Sequence, residues 1–128
     1  MSAGLIAIVD DDESVRRAMA RLLRLYSFQV QAYPSGREFL ESLAVKIPDC
    51  LIVDLQMNQM TGLELLHHLV GMGLKIPTIV ATARDEPAMR HRCMLAGAAA
   101  FLVKPVSLDS LLGAIRASTA TSTRLWKV

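Results

Sequence analysis

The chain has 128 residues, a length that fits one domain with a real core and is too short for two. Its hydrophobic share is 52%, but the apolar runs are short, and none approaches the roughly 18 residues that a membrane span needs. Fourteen basic and twelve acidic residues leave a formal charge of +2, which is too balanced to indicate a nucleic-acid-binding protein.

Short apolar runs alternate with longer helical patterns along the whole chain. The predicted elements, in chain order, are a strand at 5–9, a helix at 13–26, an edge strand at 28–33, a helix at 37–43, a strand at 50–53, a helix from Thr61 to about Gly71 and Gly73, a strand at 76–81, a helix at 86–96, a strand at 99–103 and a last helix that begins at Ser107. Five strands alternating with five helices predict an α/β domain whose parallel sheet is covered on both faces.

Capping and stop residues support several of these boundaries. Ser35 and Thr61 are suited to the N-cap position of a helix, and Pro87 is suited to a first helical turn. Gly97 is suited to the end of the helix before it. After Ala117 the composition shifts to Ser and Thr, which predicts a linker-like or frayed tail.

Polar residues stand directly after four of the five predicted strands. Asp10 begins an acidic run after the first strand, Asp54 follows the third, Thr82 the fourth and Lys104 the fifth. Because the carboxyl ends of parallel strands meet at one edge of the sheet, these side chains are expected to lie together there. The sequence thus predicts a site with several carboxylates, a hydroxyl and an ammonium group.

Taken together, these groups suit one kind of chemistry, although each of them alone has an ordinary structural explanation. Asp11 or Asp12 is a suitable helix cap, and Lys104 is an ordinary surface charge when taken alone. Clustered carboxylates, however, repel one another without a cation, and oxygen ligands select Mg²⁺. An Asp at a strand end is a possible nucleophile toward phosphorus, and phosphoryl transfer needs mainly positioning and charge neutralisation. The combination favours a Mg²⁺-dependent phosphoryl-transfer site at Asp54.

Four short motifs resemble the signature of response-regulator receiver domains, and the finer resemblance is to the FixJ/NarL-like group. The motifs are Val9-Asp10-Asp11-Asp12-Glu13, Val53-Asp54-Leu55, Val80-Ala81-Thr82 and Lys104-Pro105. The resemblance covers about residues 5–118. It implies a flavodoxin-like, doubly wound five-stranded parallel sheet in the order 2-1-3-4-5 with five helices, as one receiver domain at 1–118. Residues 119–128 would then form the tail.

The resemblance implies a role for each residue of the phosphorylation site. Asp54 is the implied phosphoacceptor, Lys104 pairs with the phosphoryl oxygens, and Thr82 donates a hydrogen bond to one of them. Phe101 is the implied switch aromatic, which rotates inward when Thr82 is drawn to the phosphate. The Lys104-Pro105 peptide is expected to be cis.

The resemblance also implies a metal site and two flanking residues that affect hydrolysis of the phosphoaspartate. Mg²⁺ is expected to be bound by Asp10, Asp11, Asp54 and the backbone carbonyl of Gln56. Gln56 and Arg84 flank the phosphoacceptor and are expected to influence how fast water attacks the phosphoaspartate.

The implied function is that of a two-component phosphorelay switch. A sensor histidine kinase would donate the phosphoryl group, and the surface of the fourth helix, fifth strand and fifth helix would change to control a partner or a transcription output domain. The chain is not expected to be an enzyme beyond its own self-catalysed phosphorylation and dephosphorylation. A phosphorylation-dependent homodimer is possible, whereas direct nucleic-acid or membrane contacts by this chain are not expected. The output stays open between a stand-alone receiver and one portion of a longer regulator.

The sequence also bears on cellular location and on two competing functions. No basic stretch of a secretory signal is present, and Cys50 and Cys93 lack any metal-binding spacing, so a cytoplasmic location is expected. A phosphatase of the haloacid-dehalogenase class would need a second acid two residues after Asp54, where Gln56 stands. A Mg²⁺-dependent nuclease would need a basic groove, of which the sequence gives no sign.

Overall fold

Five strands and five helices alternate in the computed structural model, which describes residues 4–127, with side chains through Thr119. The strands are β1 (Leu5–Val9), β2 (Gln29–Tyr33), β3 (Cys50–Asp54), β4 (Thr78–Thr82) and β5 (Ala100–Val103), and the helices are α1 (Glu13–Leu25), α2 (Gly36–Ser42), α3 (Gly62–Gly71), α4 (Pro87–Leu95) and α5 (Leu108–Lys127). All neighbouring strands are parallel, in the order β2-β1-β3-β4-β5. The predicted flavodoxin-like fold is therefore confirmed.

The sheet is buried on both faces, which explains why its inner strands are continuously apolar. Ala7 and Val9 of β1 belong to a core cluster shared with α2, α3 and α4. Ile6 and Ile8, which point the other way, belong to a second cluster shared with α1 and α5. Since side chains alternate along a strand, one five-residue run supplies both layers of the core.

Side-chain caps begin four helices where the sequence provides a suitable residue. At the start of α5, Ser107 Oγ accepts a hydrogen bond from Ser110 N at 3.1 Å. Ser35 Oγ accepts a hydrogen bond from Glu38 N at 3.1 Å at the start of α2. Thr61 and Glu64 form a reciprocal capping box at α3, with distances of 2.9 and 3.1 Å. Asp12 caps α1. The predicted caps at Ser35 and Thr61 are confirmed.

Two boundaries differ by more than one residue from the sequence-based prediction. Strand β4 begins at Thr78 and not at Ile76, because Pro77 has no N–H to continue the ladder. Helix α5 continues to Lys127, so the backbone of residues 119–127 is helical where a linker-like or frayed tail was predicted. Thr119 Oγ1 donates to Ile115 O at 2.7 Å, a local bond through which a hydroxyl side chain is accommodated in a helix. The domain boundary at residue 118 stays a prediction.

Within residues 4–127, no helix combines the length and the apolar character needed to cross a bilayer.

Candidate functional site

Three carboxylates converge at the carboxyl edge of the sheet. Asp10, Asp11 and Asp54 each place one carboxylate oxygen so that these three atoms lie within 4.8 Å of one another. The convergence follows from strand pairing, because Val9 of β1 pairs with Val53 of β3 and the next residue of each strand is an acid. Asp10 is buried and Asp11 is exposed. The cluster is therefore closed on the protein side and open to solvent on the other.

Lys104 joins this cluster from the end of β5. Its Nζ lies 3.1 Å from Asp10 Oδ2 and 3.5 Å from Asp54 Oδ1. One ammonium group against three carboxylates leaves two formal negative charges uncompensated. That excess and the all-oxygen donor set fit a divalent cation of the Mg²⁺ type, which prefers carboxylate, carbonyl and water ligands.

The ionisation of Asp54 and Lys104 is shifted by their surroundings. Burial raises the pKa of Asp54 above its ordinary value, and the nearby charge of Asp10 raises it further, whereas Lys104 and the backbone of Gln56 act against the rise. Burial alone would lower the pKa of Lys104, but the carboxylates of Asp10 and Asp54 outweigh it and raise the pKa. Lys104 is therefore held as a cation beside the acids.

The Asp10 loop is fixed by hydrogen bonds of its own. Asp10 Oδ1 accepts from Asp12 N at 2.9 Å, and its backbone carbonyl accepts from Arg16 Nη1 at 2.7 Å. Asp12 Oδ1 accepts from Ser14 N at 2.9 Å and from Val15 N at 3.2 Å. The ordinary explanation of Asp12 as a helix cap is thus confirmed, and the cap helps to hold Asp10 in place.

Thr82 and Arg84 lie on the β4 side of the site. Thr82 is fully buried, and its Oγ1 accepts a hydrogen bond from Arg84 N at 3.2 Å. The carbonyl of Thr82 accepts from Lys104 N at 2.7 Å, which ties the ends of β4 and β5 together. The side chains of Gln56 and Arg84 are exposed. Because a hydroxyl both donates and accepts, the Thr82 O–H stays able to donate to another oxygen.

Phe101 is part of the core and not of the acid cluster. It is 5% exposed and belongs to the core cluster beneath α2, α3 and α4. The guanidinium carbon of Arg90, on α4, lies 5.0 Å from the centre of the Phe101 ring, within the range of a cation–π contact. Nη2 of Arg90 also lies 3.8 Å from Oδ1 of Asp85, an exposed ion pair. The Lys104-Pro105 peptide is cis, as predicted.

Sequence reasoning assigned no packing role to Gly62, which the structure places against Asp54. A Cβ atom at Gly62 would lie 2.7 Å from the carbonyl oxygen of Asp54, a distance that real Cβ atoms essentially never show, and 3.0 Å from Cα of Leu55, which is tighter than most real Cβ contacts. The amide of Gly62 donates to Leu55 O at 2.9 Å. A glycine directly after the cap Thr61, where better helix formers exist, was the available signal.

We expect Gly62→Ala to destabilise the domain by about 1–3 kcal/mol, because backbone must shift to admit the methyl group. The matched control is Gly113→Ala, within α5, where a Cβ meets nothing within 4 Å. That change should stabilise by about 0.5–1 kcal/mol through helix propensity. Urea unfolding of both variants measures the difference, and equal effects would contradict the close packing of Gly62.

Comparison with known proteins places this site in a family. A family model described as the response regulator receiver domain matches residues 6–116. The response regulator MprA of Mycobacterium tuberculosis is 38% identical over 112 residues, covering 88% of this chain and 49% of that protein. The chain thus spans about half the length of the curated relatives it matches.

Solved structures agree with this assignment. The crystal structure of FixJ-N has a TM-score of 0.87 and 33% identity, with 94% of this chain and 96% of that chain covered. The response regulator StyR has a TM-score of 0.87 and 34% identity, with coverages of 98% and 64%. The chain belongs to the response regulator receiver domain family of two-component systems. The predicted resemblance is confirmed, and the phosphatase and nuclease alternatives are set aside.

Proposed function

We propose that this domain is a phosphorylation switch in which Asp54 accepts a phosphoryl group from a sensor histidine kinase. The observation that carries the proposal is the meeting of Asp10, Asp11 and Asp54 within 4.8 Å, with Lys104 in contact with two of them. The domain acts on its own Asp54 and turns over no separate substrate. Family membership gives the class of protein, and the geometry gives each residue its proposed part.

Asp54 is suited to act as the nucleophile. Its side chain is 11% exposed, so a donor can reach it from the solvent side while its backbone is held in β3. One carboxylate oxygen forms the new O–P bond as the bond from phosphorus to the donor breaks. Lys104, 3.5 Å from Asp54, is close enough to neutralise charge on the phosphoryl oxygens as it is transferred.

The carboxylates of Asp10, Asp11 and Asp54, with the backbone carbonyl of Gln56, are the proposed ligands of Mg²⁺. When bound, the ion supplies positive charge that draws carboxylate and phosphoryl oxygens together. The residues fit it because the site is built of oxygen donors and has two uncompensated negative charges. Asp10 is held by Lys104 and Asp12 N, so it is oriented before any ion arrives.

The proposed switch passes from Thr82 to the surface of α4, β5 and α5. Thr82 would donate its O–H to a phosphoryl oxygen, and movement of its Oγ1 would weaken the contact from Arg84 N at the start of the β4–α4 loop. Phe101 pairs with Val80, two residues before Thr82. A shift of β4 would therefore also move the strand partner of Phe101 and change the packing of its ring. Arg90 covers that ring from α4. Exposed Gln56 and Arg84 are the proposed tuners of water attack.

The output and location are proposed at a coarser level. We infer that the changed surface controls a protein partner or a transcription output domain, because the chain belongs to the response regulator receiver domain family. A phosphorylation-dependent homodimer through the same surface is compatible with the proposal. A kinase partner of the two-component type and a cytoplasmic location are what the family leads us to expect.

The function is tested by mixing the protein with Mg²⁺ and acetyl phosphate and recording its intact mass. We expect the addition of one HPO₃ group, labile to hydroxylamine as an acyl phosphate is, and no addition when a chelator has removed the metal beforehand. Mg²⁺ without the donor should raise the unfolding temperature, because it binds the folded state alone. Equal labelling with and without the chelator would overturn the metal requirement, and no labelling at all would overturn the proposed acceptance.

A further inference from the structure

Helix α4 carries a short basic run, Arg90-His91-Arg92. The guanidinium carbon of Arg90 lies 5.0 Å from the centre of the Phe101 ring, inside the limit of about 6 Å for a cation–π contact. Arg92 stands two positions further on, about 200° around the helix, and makes no ion pair within residues 4–119. The contact with Phe101 therefore depends on the position of Arg90 and not on the basic character of the helix as a whole.

The surroundings of the Phe101 ring determine how much this contact contributes. Phe101 is 5% exposed and belongs to the core cluster beneath α2, α3 and α4. The Arg90 side chain is 48% exposed, so its guanidinium group stays partly hydrated while it lies over the ring. The attraction between a cation and a ring is stronger where water is excluded from the contact. A Phe101 ring turned out to solvent would therefore gain less from Arg90 than the buried ring does.

Arg90 also reaches the β4–α4 loop, which begins beside the phosphoacceptor site. Nη2 of Arg90 lies 3.8 Å from Oδ1 of Asp85, and because both side chains are well exposed this ion pair is weak and mainly orients the guanidinium group. Asp85 follows Arg84, whose N–H donates to Thr82 Oγ1 at 3.2 Å. One guanidinium group thus contacts both the ring of the proposed switch and the loop that is bonded to its hydroxyl.

An ordinary explanation of the contact is that the aliphatic part of Arg90 covers an apolar core residue, as long charged side chains often do. The measured distance indicates more than coverage, because it joins the ring centre to the guanidinium carbon and not to the aliphatic stem. The two explanations also differ in a testable way. A neutral side chain of similar length would cover the ring equally well but would lack the attraction to its electron-rich face.

Given the phosphorylation switch described above, on which this step rests, we infer that Arg90 is a positioning residue that holds the Phe101 ring in its buried position. The switch assigns that position to the phosphorylated domain, so Arg90 and the phosphoryl group favour the same arrangement. A contact that is stronger in one of two arrangements shifts the equilibrium toward it. At a half-exposed site, the cation–π attraction should favour the buried ring by about two- to fivefold. Arg90 touches no reacting atom and acts through Phe101.

Phosphorylation should consequently move the ring less in the unmodified protein than in a variant that lacks the cation. With Arg90 present, part of the preference for the buried ring exists before a phosphoryl group is added. Without Arg90 the resting population of outward rings is larger, so the phosphoryl group has more rings to draw inward. Arg90 therefore sets the range over which the switch responds.

The test uses the full chain with para-fluorophenylalanine at its three Phe positions, and Phe101→Leu identifies the Phe101 signal in the fluorine NMR spectrum. The outward population is read from the shift of that signal between ordinary and heavy water. We expect Arg90→Gln to raise the outward population about two- to fivefold, because the cation is lost while the ring stays covered. Arg90→Lys, which keeps a cation, should restore at least half of the difference.

Two further measurements complete the experiment. Arg92→Gln, the matched control with the same charge change on α4, should leave the Phe101 signal unchanged. Acetyl phosphate with Mg²⁺ should move the Phe101 signal further in Arg90→Gln than in the unmodified protein. Labelling of Asp54 is followed by intact mass in the same samples.

An unchanged Phe101 signal in Arg90→Gln would overturn the positioning role, as would a smaller response to phosphorylation in that variant than in the unmodified protein. Equal signals in Arg90→Lys and Arg90→Gln would reduce the contact to coverage by the stem, and an equal change in Arg92→Gln would show a net-charge effect only; both results also overturn it. The isotope shift is recorded without a phosphoryl donor. A ring that fails to respond in normally labelled protein therefore overturns the role of Arg90 alone, whereas absent labelling of the unmodified protein overturns the phosphorylation proposal.

Discussion

Asp54→Asn is expected to abolish phosphoryl acceptance while making the unphosphorylated domain more stable at neutral pH. The amide is a far weaker nucleophile than the carboxylate, so hydroxylamine-labile label from acetyl phosphate or from a phosphorylated kinase should fall to background. Stability should rise because burial and Asp10 disfavour the Asp54 charge more than Lys104 favours it, which is why the pKa of Asp54 is raised. Each unit by which folding raises the pKa of Asp54 corresponds to about 1.4 kcal/mol of folding free energy lost when the carboxylate is charged.

The stability gained by Asp54→Asn should change with pH in a defined direction. With its pKa raised on folding, Asp54 costs stability as pH climbs from the ordinary value of 3.8 through the raised value. The advantage of Asp54→Asn should therefore be full at neutral pH and vanish below pH 3.8. Urea unfolding at both pH values measures it. Asp109→Asn, at an exposed acid in the first turn of α5, is the control and should shift stability by less than about 0.5 kcal/mol. Persistent hydroxylamine-labile label on Asp54→Asn would contradict the assignment of the acceptor.

Lys104→Met is expected to damage both stability and phosphorylation. Asp10 is 3% exposed, and the substitution removes the ammonium group 3.1 Å from its carboxylate. Breaking a buried ion pair costs several kcal/mol, and because the Lys104 side chain is 23% exposed we expect about 2–3 kcal/mol here. Labelling should be slower by about 10²–10³, the loss that follows removal of one charge-stabilising donor.

Mg²⁺ should restore more stability to Lys104→Met than to the unmodified protein. Without the ammonium group, three carboxylates face one another uncompensated, and a cation gains more by binding there. Thermal unfolding with and without Mg²⁺ measures this, with Lys75→Met, at an exposed lysine outside the acid cluster, as the control. An equal Mg²⁺ shift in all three proteins would show that Lys104 and the metal do not share the site.

Local patterns in the chain were enough to predict the order of the elements and the three acids that converge at the sheet edge. β1 was predicted at its observed bounds, and the caps at Ser35 and Thr61 followed from residue type alone. The ends of the elements were less predictable. Pro77 shortened β4, and the Ser- and Thr-rich segment after Ala117 proved compatible with α5. Composition states what a segment tolerates, whereas the surrounding fold selects among the tolerated conformations.

The sequence by itself determined the class of fold and the family. It also predicted Asp10, Asp11, Asp54, Thr82 and Lys104 as one set, because parallel strands deliver their carboxyl ends to one edge. Only the tertiary structure decided that Lys104 lies nearer to Asp10 than to Asp54, at 3.1 against 3.5 Å. It also decided that Gly62 has no room for a side chain and that Arg90 lies over the Phe101 ring. Such distances depend on strand register and on how layers pack across as many as 94 residues of sequence, and neither is encoded in local periodicity.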